Sequence, residues 1–587
     1  MDVKLALSLI LKESILLTGL VVFVLFANYP AISYQMLHPE AVPAYLINSK
    51  ITSFSDLLAV YLHPQMLYPG GIPYFRPTNN FLIPQFITLF ISWHNLKGFL
   101  IFNLLFLALS GYLMIKIYNR LFPKFEIGGY VAFGLYMMHP ALIMNHLMIM
   151  QFDFCFVFFT LTSLYLFILF CQKNYYLFTP KFDSNLSPQY DIQKIKFHYL
   201  YLFFAALFFY VFSITLKEIA IMMAASMICY FLILFDNNQS GFAYLRDVFR
   251  NKQIRRLFFL LSTCAILSTL YITVTWRYVT NPALNVPFIK NVSYYSQILL
   301  GILENQTSRD LWSGIYKIHF PLFSRFIVWT FLLLLVVATI KLIKISSSEF
   351  IIKQYKKSLS FLFFSAGIFL LLPLFCGGWA WHLNLTLVFL SIAMGFSFEF
   401  VSRFYLSRTK NFTIIWGEIV ASLLGLSLIP VIYAHTENSA LYPQLLISLN
   451  RNAILEPPDL KNKFTAHSVL IVEDSKPYGW FTFGDAFYLF KTEKELAKYQ
   501  NGYFYKANHF YNGTLFRWAY LMPELKEQVH PFKIDKMQMV ADDVIYKWLE
   551  NFNDIFCVGY DEQSHWHDLT DRFKANLLKE KNLRGIR

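Results

Sequence analysis

Charged residues and cysteines are scarce in this sequence. Only 15% of its 587 residues are charged, against roughly 25% in ordinary soluble domains, whereas 56% are hydrophobic. A soluble fold of this length could not bury so large an apolar share of its side chains. The six cysteines lie far apart, and they form neither a CxxC metal motif nor a closely spaced disulfide framework. The scarcity of charge excludes an ordinary soluble enzyme, and the cysteine spacing excludes a small disulfide-stabilised secreted fold.

The net charge of +14 raises the question of nucleic-acid binding. A nucleic-acid-binding protein concentrates Lys and Arg on one face or along one helix. Here the basic residues lie between apolar runs, which is typical of membrane topology. We therefore expect membrane lipids, and no nucleic acid, among the partners of the chain.

Long apolar runs dominate the first 433 residues. A helix needs about 20 residues to cross the hydrocarbon core of a bilayer. Runs that approach or reach that length span residues 5–27, 98–115, 127–138, 154–172, 199–216, 219–235, 257–275, 325–343, 359–375, 383–401 and 412–433. This pattern predicts an all-α polytopic membrane domain over residues 1–433, with about eleven transmembrane helices.

The positions of Lys and Arg predict how this domain is oriented. With the N-terminus inside, the inner loops carry about twice as many basic residues as the outer loops, although the outer loops are longer. The bias predicts a cytoplasmic N-terminus, and an odd number of spans then leaves the C-terminus outside. Two outer loops are long, at residues 28–97 and 276–324. The composition favours a bacterial inner membrane, with the residues after 433 in the periplasm; an endoplasmic-reticulum protein, with these residues in the lumen, would look similar.

Residues 434–587 are predicted to form a soluble domain. Charged residues become frequent after Tyr433, and apolar residues arrive in short groups. The segments HSVLIVED and DIFCVGYDE are typical of buried strands, and ADDVIYKWLENF and LTDRFKANLLKEKN of helices. We therefore expect a small α/β domain. Its SHWHDLTD segment favours a solvated hairpin over a metal site, because three ligands within four positions (His565, His567 and Asp568) are an uncommon zinc geometry.

Four groups of polar residues fall on the predicted outer side, where an ionisable group at membrane depth is a functional hypothesis. The first contains Glu40, in MLHPEAVPAY, with His38 beside it and Asp56 further along. The Glu40 carboxylate could act as a general base toward an acceptor hydroxyl or amine, although a solvated loop acid would look the same. The second group is YFRPTNN, in which Arg76 offers a bidentate donor for phosphate or an ordinary interfacial anchor.

The third group follows the third apolar run, in MHPALIMNHLMIMQFD. His139, His146 and Asp153 lie there in an otherwise apolar stretch. Such a stretch has little reason to keep three titratable side chains, although His139 before Pro140 could simply end a helix. We count Asp153 with Glu40 as a candidate catalytic carboxylate, and the two histidines as candidate substrate-binding residues.

The fourth group, SITLKEIAI, places Lys217 and Glu218 between two apolar runs with almost no loop. Paired with each other, the two side chains would partly offset the cost of leaving water. Alternatively, Lys217 could meet a lipid-linked phosphate at the outer interface, and Glu218 would then belong to the same substrate site. Arg277 in TWRYV and His382 in GGWAWHLN are further candidates of the same kind.

The order of these groups resembles the GT-C superfamily of polyprenyl-phosphate-sugar glycosyltransferases. The closest likeness is to the transmembrane O-mannosyltransferases that carry tetratricopeptide repeats in animals, and to their bacterial relatives. Their pattern has an acidic pair after the first span, Tyr-Arg-Pro before the second, His-Pro and then Asp near the fourth, and Ser-Lys-Glu before the sixth. In this chain Glu40-Ala41 stands at the acidic pair, TLKE replaces Ser-Lys-Glu, and no tetratricopeptide array follows. The likeness covers residues 1–235 by motif and 236–433 by the layout of spans.

The resemblance implies transfer of a sugar from a polyprenyl-phosphate donor to a protein, lipid or glycan acceptor on the outer side, with inversion at the anomeric carbon. It implies that Glu40 is the general base and that Arg76, Lys217 and Arg277 stabilise the phosphate. Because one acid of the pair is missing, a divalent cation is an option rather than a requirement, and no metal ligands are assigned.

Other interpretations use the same residues. A lipid or polysaccharide transporter or flippase would also have many spans, but its polar groups lie near the membrane midplane rather than at one face. A surface-polysaccharide polymerase or ligase could use Arg277, Arg309 and His319 of the second long loop. A non-catalytic scaffold, whose outer domain recruits a partner, is a further alternative.

Overall fold

The computed structural model of the protein describes the membrane domain more fully than the C-terminal part. The described residues are 3–33, 36–37, 53–55, 58, 78–91, 96–139, 141–142, 146, 148–149, 152–178, 199–234, 250, 252–276, 288–300, 322–345, 350–376, 383–406, 422, 425–433, 468–473, 503–507, 514–515, 554–560, 566–568, 570–571, 574–575 and 578. Of the candidate site residues, Glu40, Arg76, Arg277 and His382 lie outside them.

Helices form where the apolar runs predict them. The longer helices are α1 (Val3–Ala27), α2 (Leu96–Leu121), α3 (Gly128–Met137), α4 (Asp153–Phe178), α5 (Leu200–Leu216), α6 (Met223–Leu234), α7 (Lys252–Trp276), α8 (Phe288–Leu299), α9 (Leu322–Lys344), α10 (Phe350–Cys376) and α11 (Asn384–Leu406). Helix α8 lies in the second long loop, and each of the others coincides with a predicted run. A helical stretch at 425–433 falls within the last predicted run.

Within the described residues, seven helices are long and apolar enough to cross a membrane. They are α1, α2, α4, α7, α9, α10 and α11. Helix α5 and the segment Glu218–Ile233 are apolar but shorter, and α3 has 10 residues. The mainly helical, membrane-compatible architecture is therefore confirmed, whereas the count of eleven spans stays a prediction.

Polar contacts between helices gather at two ends of the bundle. Glu13, ten residues into α1, accepts hydrogen bonds from Tyr112 and Lys116, which lie within the last ten residues of α2. At the same end, Ser358 of α10 donates to the carbonyl of Leu121 at 3.0 Å. Glu13 lies inside the first apolar run, and its pairing with Lys116 explains how a carboxylate is tolerated there.

Helices α3 and α11 approach each other closely because glycines line their contact. A Cβ atom added to Gly395 would overlap the carbonyl oxygen of Gly128, and one added to Gly128 would overlap the carbonyl oxygen of Gly395. Small residues allow such close backbone contact between membrane helices. Beside the glycines, the rings of Phe122 and Phe396 stack with their centroids 4.1 Å apart.

A buried carboxylate caps the start of α3. Glu399 of α11 is fully buried and accepts hydrogen bonds from the backbone N–H groups of Ile127, at 3.0 Å, and Gly128, at 2.7 Å. The Tyr118 hydroxyl also donates to it at 2.8 Å, and Arg403 donates at 2.6 Å. The first N–H groups of a helix have no acceptor within the helix, and negative charge is favourable there. Glu399 therefore holds α3 against α11, and we name this side of the bundle the Glu399 end.

Replacing Glu399 with glutamine should lower the free energy of unfolding by about 2–3 kcal/mol, because hydrogen bonds to a charged group are replaced by weaker ones and the amide NH₂ faces other donors. The measurement is thermal unfolding in detergent, with the variant melting several degrees below the wild type. The control is Glu126→Gln, since Glu126 is exposed and contacts Glu399 through its backbone N–H at 3.2 Å. Equal melting temperatures for the wild type and Glu399→Gln would contradict this role for the carboxylate.

Two short strands, β1 (Met36–Leu37) and β2 (Met148–Ile149), lie in the membrane domain. The described strands after residue 433 are β3 (Ser468–Glu473), β4 (Tyr503–Ala507), β5 (Thr514–Leu515), β6 (Asp554–Tyr560) and β7 (Trp566–Asp568). These five form one sheet in the order β5-β4-β3-β6-β7. Strand β3 is parallel to both β4 and β6, and β5 and β7 pair antiparallel at the edges. Strands β3 and β6 lie in the two segments predicted as strands. The segment ADDVIYKWLENF lies outside the described residues, so the α/β class of this domain stays a prediction.

Candidate functional site

A buried ion pair lies at the end of the bundle opposite Glu399. The Lys217 Nζ atom donates to Asp153 Oδ1 at 2.8 Å, and the two side chains are only 2% and 3% exposed. The sequence suggested Glu218 as a partner for Lys217, and the structure shows that the ammonium also has a partner 64 residues away, Asp153. We name this side of the bundle the Asp153 end, and the predicted topology makes it the outer side.

Helix ends explain why these two charges stand here. Asp153 is the first residue of α4, where the helix dipole favours a negative charge. Lys217 directly follows the last residue of α5, where the dipole favours a positive charge. Its extended backbone (φ −157°, ψ 127°) separates α5 from the 3-10 helix Glu218–Met222. The break between two apolar runs that the sequence predicts therefore lies at Lys217.

An aromatic ring adds to the surroundings of the ammonium. Lys217 Nζ lies 5.8 Å from the ring centroid of Phe156, one turn into α4. A cation near an aromatic face is attracted to the ring electrons. The Lys217 charge is thus stabilised by the Asp153 carboxylate, by the end of α5 and by the ring of Phe156.

Hydrogen bonds connect the segment after Arg76 to residues next to Lys217 and next to Asp153. The hydroxyls of Thr78 and Thr215 lie 2.6 Å apart, and Thr215 is two residues before Lys217. The Oδ1 atom of Asn79 accepts a hydrogen bond at 3.1 Å from the backbone N–H of Phe152, next to Asp153. Thr78 also begins a π-helical turn, Thr78–Leu82, a geometry that is frequent at functional sites. The chain two residues after Arg76 is therefore fixed beside the ion pair.

The segment before Glu40 pairs with the segment that precedes Asp153. Strand β1 (Met36–Leu37) pairs in parallel with β2 (Met148–Ile149), so Leu37 stands opposite Ile149. Glu40 follows three residues after this pairing, and Asp153 follows four residues after Ile149. All four polar groups singled out in the sequence thus have described residues that meet at the Asp153 end, although the side chains of Glu40 and Arg76 lie outside the described residues.

His139 is buried just beyond the end of α3. Its Nδ1 atom accepts a hydrogen bond at 3.2 Å from the backbone N–H of Ala141, which places the proton of the neutral ring on Nε2. Burial lowers the pKa of His139 to about 4, and the backbone of Leu299 at the end of α8 acts weakly against that change. His139 is therefore neutral at pH 7, where it can donate one hydrogen bond but carries no charge.

The lowered pKa of His139 makes stability depend on pH. Between pH 6.5 and pH 4 the unfolded chain binds a proton at this residue and the folded chain does not, so acid favours unfolding, by about 3 kcal/mol over the window. We expect the melting temperature to fall as the pH is lowered from 7 to 4. In His139→Asn this fall should be smaller, because the Asn amide oxygen can accept from Ala141 but does not titrate. Carboxylates titrate in both proteins, so parallel pH profiles of wild type and variant would contradict the prediction.

The remaining candidate residues have different surroundings. His146 is buried, and its ring lies 5.3 Å from that of Phe154. Glu218 is half-buried at the start of its 3-10 helix. Arg277 and His382 lie outside the described residues. Sequence reasoning missed Thr78 and Asn79 as positioning residues, although their place directly after Arg76-Pro77 was a signal for them.

A metal centre needs several ligands at one point, and the described residues hold no group of three His, Cys, Asp or Glu side chains suited to a cation. At this end Asp153 forms an ion pair with Lys217, so its negative charge is already neutralised by the ammonium. This arrangement fits a positioned ammonium better than a divalent cation.

No protein-family model matches the chain, and a comparison with curated proteins gave no match either. The resemblance to GT-C glycosyltransferases therefore depends on the four polar groups, their order and the contacts of the segments that carry them.

Proposed function

We propose that the chain is an integral membrane glycosyltransferase that moves a sugar from a polyprenyl-phosphate donor to a protein, lipid or glycan acceptor on the outer side of the membrane. The proposal includes about eleven spans in a bacterial inner membrane, and a periplasmic α/β domain over residues 434–587 that contacts the acceptor. The observation that carries it is the meeting of four distant polar segments around the Asp153–Lys217 pair.

The reaction is a single displacement at the anomeric carbon. The acceptor oxygen or nitrogen forms a bond to that carbon while the bond from the carbon to the phosphate oxygen breaks. The polyprenyl phosphate leaves with the electron pair, and Glu40 takes the proton of the acceptor. Because the leaving phosphate is already an anion, cations that stabilise its charge suffice and no strong general acid is needed.

The cations of the site have separate roles in this scheme. Arg76 and Lys217 bind the donor phosphate, with Arg277 as a third contact. Asp153 positions Lys217, because its Oδ1 atom accepts one of the three ammonium N–H bonds and leaves the charge in a fixed place. The rest of the substrate site is lined by His139, His146, Glu218 and His382.

The membrane setting supports the same proposal. A polyprenyl tail is insoluble in water, so an enzyme that uses it must bind the tail between apolar helices and the phosphate at an interface. Apolar side chains on α5, including Phe204 and Phe208, are exposed on the bundle surface below Lys217. A lipid tail lying along α5 would bring its phosphate to the level where that helix ends.

The test is a transfer assay with the full-length protein in proteoliposomes. Radiolabelled polyprenyl-phosphate monosaccharides and candidate acceptors are supplied on the outer side, and single-sugar transfer and release of polyprenyl phosphate are measured. The proposal expects one sugar per acceptor with stoichiometric release of the lipid phosphate. Movement of intact donor across the bilayer would indicate a transporter, and addition of a long chain would indicate a polymerase or ligase; either result without single-sugar transfer would overturn the proposal.

A further inference from the structure

Among the described residues, buried polar atoms without a hydrogen-bond partner at the Asp153 end include one oxygen of Asp153 and the hydroxyl oxygen of Tyr136. The Oδ2 atom of Asp153 accepts no hydrogen bond, although Oδ1 is bonded to Lys217. The hydroxyl of Tyr136, in the last turn of α3, is likewise unpaired. Tyr136 is fully buried and Asp153 nearly so, and the two side chains are close enough to interact electrostatically.

Unpaired polar atoms at such depth are unusual in folded proteins. Most buried side-chain oxygens have a partner, because a buried polar atom without one loses its hydrogen bonds to water and gains nothing in return. A phenylalanine in place of Tyr136 would fill the same space without that cost. The presence of an acceptor and a hydroxyl in one buried place therefore points to a ligand that supplies the missing bonds.

We propose that Tyr136 and Asp153 bind hydroxyl groups of the sugar carried by the lipid-phosphate donor. One sugar hydroxyl can donate to Asp153 Oδ2, and the same or another hydroxyl of that sugar can accept from the Tyr136 hydroxyl. Lys217, on the other oxygen of the same carboxylate, then meets the phosphate of the same donor. Asp153 thus links phosphate binding to sugar recognition. This inference rests on the proposed function and adds the group that recognises the sugar.

Tyr136→Phe tests the inference, because it removes one oxygen and leaves the ring. Binding to the full-length protein in detergent is measured with farnesyl phosphate and with its mannose, glucose and arabinose esters. In the wild type, we expect at least one sugar ester to bind more tightly than farnesyl phosphate. In Tyr136→Phe, the affinity for that ester should fall roughly tenfold, the loss expected for one hydrogen bond, while the affinity for farnesyl phosphate stays within about twofold.

The matched control is Tyr355→Phe. Tyr355 is also buried with an unpaired hydroxyl, but it packs against Phe122 and Phe396 at the Glu399 end. Its variant should bind all four compounds as the wild type does. Without ligand, neither variant should lose thermal stability, because neither hydroxyl has a hydrogen bond to lose.

The possible results separate this inference from the proposed function. If a sugar ester binds the wild type more tightly than farnesyl phosphate and Tyr136→Phe keeps that preference, water fills the space beside Tyr136; the inference is then wrong and the proposed function stands. A marked loss of thermal stability in ligand-free Tyr136→Phe would show that the hydroxyl has a partner within the protein, which also overturns the inference. If the wild type shows no preference for any sugar ester, the inference and the proposed function fail together.

Discussion

Replacing Glu40 with glutamine should slow sugar transfer by roughly 10²–10⁴-fold, the usual contribution of a general base, while donor affinity stays within about twofold. Glutamine keeps the size of the side chain but cannot take the acceptor proton. Strand β1 ends three residues before Glu40, and it pairs with β2, which ends four residues before Asp153. Single-turnover transfer and equilibrium binding of the donor, measured on the same preparation, separate the chemical step from binding.

The control for Glu40→Gln is Asp56→Asn, which neutralises another acid of the same loop. It should transfer sugar at the wild-type rate. Normal transfer by Glu40→Gln would remove this carboxylate from the mechanism and leave the base to be found elsewhere. Loss of donor binding in Glu40→Gln would instead indicate that Glu40 holds the donor or a cation, and the assignment as a base would be wrong.

Much of the membrane domain could be predicted because a bilayer imposes simple rules. Apolar runs of sufficient length become helices, since every backbone group must be paired within the segment. The change of direction at Lys217 was also visible, because two charged residues interrupt an apolar stretch without a loop. Periodicity reveals an element and its ends, and these are local properties of the chain.

Partners distant in the chain could not be predicted in the same way. The sequence shows Asp153 and Lys217 as two charges in two apolar surroundings, but their pairing depends on how α4 packs against α5. The Glu399 cap is a similar case, since it joins α11 to α3 across more than 270 residues. Tyr136 gave no signal at all, because a tyrosine in an apolar run looks like an ordinary core or interface residue.

The meeting of the four polar groups could be predicted in part from the sequence. Their order suggested a common outer face, and the contacts of Thr78, Asn79 and the β1–β2 pair bring their segments together. Backbone pairing over two residues per strand cannot be inferred from composition. The order of the groups therefore predicts that they belong together, and the described contacts show where the segments that carry them meet.

Removing either charge of the Asp153–Lys217 pair should lower the free energy of unfolding by about 3–5 kcal/mol, because the other charge stays buried after its ion-pair partner is removed. The variants are Asp153→Leu and Lys217→Met, which roughly keep the length and branching of each side chain and remove its charge. Thermal or denaturant unfolding in detergent measures the loss. The double variant should recover most of the stability, since an apolar pair of similar size often replaces a buried ion pair at little cost.

The matched control is the pair of Glu13 and Lys116 near the Glu399 end, whose side chains are 36% and 22% exposed. Because solvent screens such a pair, Glu13→Gln and Lys116→Met should each cost about 1 kcal/mol or less and leave transfer unchanged. A loss at Asp153 or Lys217 no larger than at this control pair would show that the buried ions are screened by water and would contradict the structure of the site.

The double variant also separates a structural role for the pair from a functional one. If Lys217 binds the donor phosphate, the Asp153→Leu, Lys217→Met protein should fold, keep its β1–β2 contacts and still fail to transfer sugar. Its affinity for farnesyl phosphate should fall at least tenfold, because the cation that faces the phosphate is gone. Recovery of both stability and transfer in the double variant would show that the ion pair only joins α4 to α5, and phosphate binding would then have to be assigned to the arginines.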